Sequence, residues 1–246
     1  MRPIIAVCSV LAILAPGQLW GKDWALELEG SWCVTHLDDE FYDLEATTAV
    51  GLSAAANLSY GRAYSRVEYA LSWSCHPDDQ HGLQVDRGDA FVLLGYRVLN
   101  APQILPYFGF RHVSTGAGPG NPGASTRDSR YQGCGIGLRV ENASGEKGIA
   151  GFADGFLLPW GSWESERHNS SVMPGEGPSE YWEDDSPRCY GGSVGASYQL
   201  PQSKASLVAD VRFVVTRHES EEPGTFDTQR FEQIWQGVTL GLRYEF

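Results

Sequence analysis

The sequence predicts an all-β fold: a transmembrane, antiparallel, up-and-down β-barrel of ten strands, with eight strands as the alternative count. Three observations support this prediction. Apolar residues alternate with small or polar residues in ten separate runs, which is the period of a strand with two different faces. Almost all charges inside these runs lie on the face opposite the apolar row. The connections alternate between long polar segments and tight turns, as in barrels that cross a membrane.

The first and last runs show the alternation most clearly. In Trp24 to Val34 the even positions are mostly apolar, and in Val238 to Phe246 every even position is apolar. Eight further runs lie between them, joined by five long segments and four turns in all, one of the turns at Gly61-Arg62. The runs are Val50 to Tyr60, Arg66 to Trp73, Val92 to Val98, Pro106 to Val113, Tyr131 to Glu141, Gly148 to Leu158, Ser193 to Tyr198 and Leu207 to Thr216.

The run from Gly148 to Leu158 fits the pattern least well. Asp154 is in phase with Phe152 and Phe156, so one lipid-facing row would contain a carboxylate. A β-bulge at this place would resolve the conflict, because an extra residue reverses the phase of the side chains.

The positions of the charges test the membrane assignment, since a Lys or Arg facing lipid near the midplane costs roughly 2 to 4 kcal/mol. Apart from Asp154, every charge in a predicted strand lies opposite the apolar row, and the two signs are equal in number. We therefore expect a closed lumen filled by paired charges, because a barrel of this size leaves little interior space. These charges are Glu27, Glu29, Arg66, Glu68, Arg97, Arg111, Arg139, Glu141, Asp210, Arg212, Arg243 and Glu245.

The aromatic residues of the apolar rows sort by strand end, as in the two interfacial girdles that a bilayer favours. One predicted girdle contains Trp24, Tyr60, Tyr96, Tyr198, Tyr244 and Phe246, and the other contains Trp32 and Trp73.

The carboxyl-terminal run, ending in Leu-Arg-Tyr-Glu-Phe, resembles the closing strand of bacterial outer-membrane β-barrels. The resemblance implies location in the outer membrane of a Gram-negative bacterium and recognition of Phe246 by the barrel-assembly machinery. Residues 1–21 fit a secretory signal peptide, with an apolar run from Ile4 to Leu14 and cleavage after Gly17 or Gly21. Residues 22–246 then form one barrel domain.

Four cysteines remain after removal of the signal peptide: Cys33, Cys75, Cys134 and Cys189. An even number in an exported protein favours two disulfides, and three connectivities are open. Since all four lie at the loop-side ends of the predicted strands, we expect disulfides at the extracellular rim.

The formal net charge of −13 argues against nucleic acid as a partner. Most of the excess negative charge lies in two predicted loops, His36 to Glu45 and Pro159 to Arg188, and the second also contains several aromatic residues. We expect no cofactor. Mg²⁺ or Ca²⁺ could bridge these carboxylates to the anionic lipopolysaccharide, because both ions prefer oxygen ligands.

Two local patterns could carry catalysis. Glu166-Arg167-His168 on the fourth external loop and Asp78-Asp79 on the second resemble the omptin family of outer-membrane endoproteases. That resemblance implies an activating pair, Glu166 and His168, opposite the acids Asp78 and Asp79, because a carboxylate can raise the basicity of an imidazole base. The sequence departs from the family, since Glu166 stands where omptins have Asp and the two acids are adjacent.

His112-Val113-Ser114 resembles the His-x-Ser-Asn motif of the lipid A 3-O-deacylases, in which His activates a Ser nucleophile that faces the membrane. Here Thr115 replaces the Asn, the motif lies in mid-chain, and that family has eight strands. The main prediction is therefore a barrel without enzymatic activity, whose acidic and aromatic external loops serve binding, adhesion or envelope structure. The sequence does not identify its extracellular partner.

Overall fold

The structure, a computed structural model, describes residues 24–39, 44–74, 83–119, 126–142, 148–168, 180–221 and 228–246. These residues form twelve strands and no helix. The strands are β1 (Trp24–Asp39), β2 (Leu44–Tyr60), β3 (Ala63–Ser74), β4 (Leu83–Tyr96), β5 (Leu99–Asn100), β6 (Gln103–Pro119), β7 (Thr126–Glu141), β8 (Ile149–His168), β9 (Glu180–Asp184), β10 (Arg188–Gln199), β11 (Ala205–Glu221) and β12 (Thr228–Glu245). The predicted signal peptide lies outside the described residues.

Ten of these strands close into an antiparallel barrel, which confirms the predicted fold class and strand number. Each long strand pairs with its neighbour in the chain, β10 pairs with β8, and β12 pairs with β1. The remaining two strands are short. β5 pairs with the start of β6, and β9 pairs with the outer part of β8, beyond the part of β8 that pairs with β10. The last strand closes against the first, from Glu27 opposite Glu245 to Asp39 opposite Gln233.

The strands are longer than the sequence pattern predicts. β8 has 20 residues and β12 has 18, whereas a membrane-spanning strand needs only about 9 to 11. Much of what was expected to be loop, including most of Ser114 to Arg130, is therefore barrel wall that projects beyond the membrane. The prediction failed there because the outer face turns polar above the lipid, so the apolar alternation stops while the hydrogen-bonded ladder continues.

An apolar belt surrounds the middle of the barrel and identifies the membrane-spanning zone. Its aromatic members near the short turns include Tyr60, Tyr96, Tyr198, Tyr244 and Phe246, and those near the other end include Trp32 and Trp73. Both predicted girdles are therefore present, although the side chain of Trp24 lies outside the described residues. Trp160 joins the upper girdle, and its side chain is 60% exposed.

β8 explains the phase conflict at Asp154. Phe152, Asp154 and Phe156 all point inward, so no bulge is needed to resolve the conflict at Asp154. The register shift lies further along, where Leu157 to Trp160 on β8 faces Cys134 to Ile136 on β7. It reverses the phase, so that Trp160 faces outward and Trp163 faces inward. Phe152 and Phe156 are aromatic residues of the barrel interior, not of the lipid face.

Inward glycines make room for these interior aromatic rings. The ring of Tyr107 on β6 lies so close to Gly137 on β7 that a Cβ atom there would overlap it. Tyr107 then donates a hydrogen bond of 2.8 Å to Asp154 on β8. The glycine therefore allows one side chain to cross a neighbouring strand and connect three strands of the wall.

The cysteines contradict the predicted rim disulfides within the described chain. Cys33 and Cys189 are buried free thiols, and Cys134 is a partly exposed free thiol. Cys33 points into the barrel, whereas Cys134 lies on the outer face, so the wall separates them. β1 and β7 continue past Cys33 and Cys134, so these two cysteines do not lie at the rim, whereas Cys189 is buried at the start of β10. Cys75 lies outside the described residues.

No helix in the described part of the chain is long and apolar enough to span a membrane.

Replacing Gly137 by Ala should destabilise the barrel by about 1 to 3 kcal/mol, because the added methyl group overpacks against Tyr107. Denaturant unfolding of the vesicle-folded protein measures this loss. Gly151→Ala on β8 is the matched control, since its nearest neighbour would be 3.9 Å from the new Cβ. Equal stability of the two variants would contradict the interior packing described above.

Candidate functional site

The lower half of the lumen contains a network of buried ion pairs centred on Arg66. Its guanidinium lies 3.5 Å from Glu29 and 2.8 Å from Glu68. Arg243 contacts the same Glu29 at 3.1 Å, and Arg212 contacts the same Glu68. Each carboxylate is thus shared by two arginines, which satisfies charges that would be costly to bury alone. The predicted charge-filled lumen is confirmed.

A second set of pairs lies on the adjacent strands β4 and β6. Asp89 binds Arg111 through two hydrogen bonds and approaches Arg87 at 3.8 Å. Arg87 also donates a hydrogen bond of 3.1 Å to Gln233 on β12, across the barrel. The charged lining residues enclose a cavity of about 80 Å³, too small for a continuous channel.

The upper half of the barrel interior contains an apolar cluster. Tyr131, Leu158, Trp163 and Trp235 are buried in one cluster, and the partly buried Phe156 packs against it. Large side chains from β7, β8 and β12 therefore fill the space above the ion pairs. Within the described residues, the barrel is filled from the ionic layer to its outer part.

His218 on β11 forms the top of this filled interior. Its ring stacks on Trp163 with centroids 3.7 Å apart, and Phe231 stacks at 5.4 Å. The residue lies beyond the membrane belt, since its outward neighbours Arg217 and Glu219 are exposed charges. Removal from water lowers the pKa of His218 to about 4, although the Asp184 carboxylate acts in the opposite direction. His218 is therefore a neutral part of the core at neutral pH.

The residues of the predicted protease site are only partly placed. Glu166 lies on the outer face of β8, because its neighbour Ser165 is the buried, inward residue. His168 ends β8 opposite Thr126 on β7. Asp78, Asp79 and the side chain of His168 lie outside the described residues, so the four-residue constellation stays a prediction.

The residues of the predicted deacylase site lie together on the outer face of β6. His112 and Ser114 are both exposed and continue the row of Phe108 and Phe110, which face the lipid. Gly88 on the neighbouring strand β4 leaves a notch beside the Ser114 hydroxyl, because it has no side chain. A Cβ atom added to Gly88 would lie 3.0 Å from Ser114 Oγ and 3.4 Å from Tyr69 Oη. This notch belongs to an outer groove of about 540 Å³ that also contains Trp73 and Arg130.

The barrel is similar to solved structures of bacterial outer-membrane proteins. The outer membrane protease OmpT from Escherichia coli matches with a TM-score of 0.58 at 10% sequence identity, over 92% of this chain and 97% of that chain. The translocator domain of the autotransporter NalP from Neisseria meningitidis matches with a TM-score of 0.45 at 9% identity, over 100% and 96% of the two chains. No protein-family model and no curated protein matches the sequence.

The chain has the fold of a bacterial outer-membrane β-barrel. Together with the apolar belt and the two aromatic girdles, this fold indicates location in the outer membrane. The end of the barrel with the short turns is then periplasmic, and the projecting strand ends are extracellular. At 10% identity the likeness to OmpT concerns the fold alone.

The extracellular part of this outer-membrane barrel has an acidic outer face along β7, β8 and β9. Asp128 stands directly opposite Glu166, and Glu164 stands opposite Glu183. Arg130 partly compensates this charge through a pair of 3.5 Å with Glu164. Among the described residues no group of three or more His, Cys, Asp or Glu could hold a metal ion. Bridging of lipopolysaccharide by Mg²⁺ or Ca²⁺ stays a prediction.

Sequence reasoning missed several interior residues of the outer-membrane barrel. Arg87 and Asp89 were assigned to a loop or its edge, and Trp163 and His218 were assigned to external loops. The period of two could have identified Arg87 and Asp89, since they lie four and two residues before the inward Phe91 on the same strand. Trp163 was beyond this approach, because the bulge at Leu157 to Trp160 reverses the phase.

The stability of the outer-membrane barrel should fall as the pH is lowered from about 6.5 to about 4, partly through His218. In this window the unfolded chain binds a proton that the folded His218 does not bind. The full loss is roughly 3 kcal/mol, reached below the folded pKa. His218→Phe, which keeps the stacking, should remove this contribution.

Denaturant unfolding of wild-type protein and His218→Phe at pH 7.5, 5.5 and 4.5 measures the difference between the two pH profiles. His112→Phe, at an exposed position, is the control and should follow the wild type. Parallel profiles for wild type and His218→Phe would show that the buried imidazole makes no such contribution.

Proposed function

We propose that the protein is a binding and adhesion barrel of the outer membrane and not a conduit. The observation that carries the proposal is the filled interior, where an ionic layer around Arg66 lies below an aromatic cluster around Trp163 and Trp235. A barrel with no room inside offers its outer surfaces for function. The ten strands raise the extracellular segments above the membrane on a rigid wall.

The composition of the extracellular segments supports a partner with a basic surface. Residues 36–45 contain five carboxylates and no Lys or Arg, and residues 159–188 contain seven carboxylates and two arginines. Complementary charge accelerates encounter and excludes acidic partners. Such binding weakens as salt concentration rises, since surface charges are screened over about 8 Å at physiological ionic strength.

Adhesion of bacteria that display the protein tests this proposal. We expect adherence to epithelial monolayers or immobilised matrix proteins several-fold above an empty-vector strain that lacks its own adhesins. Replacing the carboxylates of residues 36–45 by their amides should lower adherence and its salt dependence. The control is Glu245→Gln at the periplasmic end. Adherence at the level of the vector strain, with the barrel folded and displayed, would contradict the proposal.

A second candidate function is hydrolysis of an outer-leaflet lipid ester by His112 and Ser114. The observation that favours it is their position in one row of the lipid-facing surface, where Ser114 lines a groove near the upper aromatic girdle. In this candidate, His112 removes the proton of the Ser114 hydroxyl as Ser114 attacks the ester carbonyl. The ester C–O bond then breaks, His112 returns the proton to the departing lipid hydroxyl, and water hydrolyses the acyl-enzyme to release the fatty acid and restore Ser114.

Mass spectra of lipid A from cells that express the protein test the second candidate. The expected result is a species that lacks one acyl chain, present with wild-type protein and absent with Ser114→Ala. Ser197→Ala is the control, because Ser197 is buried on the inward face of β10, away from this groove. Unchanged lipid A in the wild-type strain would remove this candidate and leave the binding proposal intact.

A further inference from the structure

Two arginines face each other on the outer surface of the barrel just above the lipid belt. Arg188 on β10 stands directly opposite Arg217 on β11. Both side chains are exposed on the outer face. Residues directly opposite on one face have Cβ atoms about 4.5 to 5.5 Å apart, and like charges in this arrangement are destabilising. The pair therefore favours an anion between the two guanidinium groups.

Neighbouring carboxylates only partly neutralise this pair. Arg217 binds Glu232 on β12, and in the next row Arg230 binds Glu219 at 2.7 Å. Arg188 forms no ion pair with another described residue. The Arg217–Glu232 pair is exposed, and such pairs contribute only about 0 to 1 kcal/mol, so a ligand can displace it.

The position of the arginine pair relative to the membrane identifies the kind of anion. Below Arg217 on the same face of β11, Val211 and Phe213 belong to the lipid belt. Tyr190 lies between the pair and the belt, with its ring 5.5 Å from the Arg217 guanidinium. Trp160 of the upper girdle lies on the neighbouring strand β8. The two charges are thus at the level of lipid headgroups in the outer leaflet.

The distribution of charge on the outer surface also favours binding of an anionic lipid at β10 to β12. The outer face of β7 to β9 contains opposed carboxylates, such as Asp128 with Glu166, which repel an anionic lipid. The outer face of β10 to β12 contains three exposed arginines, Arg188, Arg217 and Arg230, against two carboxylates, Glu219 and Glu232. All five line a cavity of about 590 Å³ that also contains the buried Asp184.

We propose that Arg188 and Arg217 bind the phosphate of an outer-leaflet glycolipid, a lipid A headgroup. Each planar guanidinium can donate two parallel hydrogen bonds to phosphate oxygens, the geometry that makes arginine the preferred partner of phosphate. The acyl chains of the lipid then extend past Tyr190 along the row of Phe213 and Val211. This site orients one lipid molecule against a defined side of the barrel.

Native mass spectrometry of the folded protein in detergent tests the site, with diphosphoryl lipid A and its dephosphorylated form as probes. The double variant Arg188→Gln, Arg217→Gln should bind diphosphoryl lipid A at least about tenfold more weakly than wild type. Arg188→Gln alone, which disturbs no described ion pair, should lose part of this affinity and keeps the test valid if the double variant does not fold. Heat-modifiable migration on SDS gels verifies folding.

Arg62→Gln is the matched control, since Arg62 is an exposed arginine in the short turn at the periplasmic end of the barrel. Its affinity should stay within about twofold of wild type, because this end lies away from the outer leaflet. Wild-type affinity in the double variant, equal loss in Arg62→Gln, or equal binding of the dephosphorylated lipid would overturn the proposal. Displacement of the lipid by millimolar inorganic phosphate would also overturn it, by identifying free phosphate as the ligand.

Discussion

The pairing of buried charges inside the barrel is the interaction on which the rest of the structure depends. Arg66 lies between Glu29 and Glu68, and Arg243 and Arg212 complete the coordination of these two carboxylates. A lipid-facing wall must turn its polar side chains inward, because each charge exposed to lipid costs several kcal/mol. In a ten-stranded barrel those inward charges meet one another, so they must be balanced in sign and position.

The filled interior determines where function can reside. Above the ion pairs, Trp163 and Trp235 occupy the space through which a substrate would pass. His218 closes the same cluster from above as a neutral ring. The protein therefore presents two kinds of accessible surface: the extracellular segments, and the outer wall at the level of lipid headgroups. Binding to a partner and binding to a lipid are proposed on these two surfaces.

The membrane-spanning part of the barrel was predictable from the sequence because lipid imposes one strict alternation. Val238, Leu240 and Leu242 on the last strand needed no more than a period of two. The strand ends were not predictable, since the outer face becomes polar above the lipid and residues such as Asp128 and Glu166 lose the apolar signal while remaining in the ladder.

Aromatic residues caused the second kind of error. Phe152 and Phe156 were expected to face lipid, but glycines on the neighbouring strand leave room for their rings inside the barrel. A pattern of hydrophobicity alone cannot separate a lipid-facing Phe from one packed on a glycine. The outer-face position of His112 and Ser114 followed from parity, whereas the opposed pair of Arg188 and Arg217 depends on strand register, which the sequence does not contain.

Ion conductance through the folded protein in a planar lipid bilayer tests the central claim most directly. With the lumen occupied by paired charges and the outer part filled by aromatic side chains, the protein should insert without producing stable conductance steps. Folding of the same preparation is verified by its heat-modifiable migration on SDS gels. Reproducible ohmic steps from the folded wild-type protein would contradict a closed, charge-paired interior.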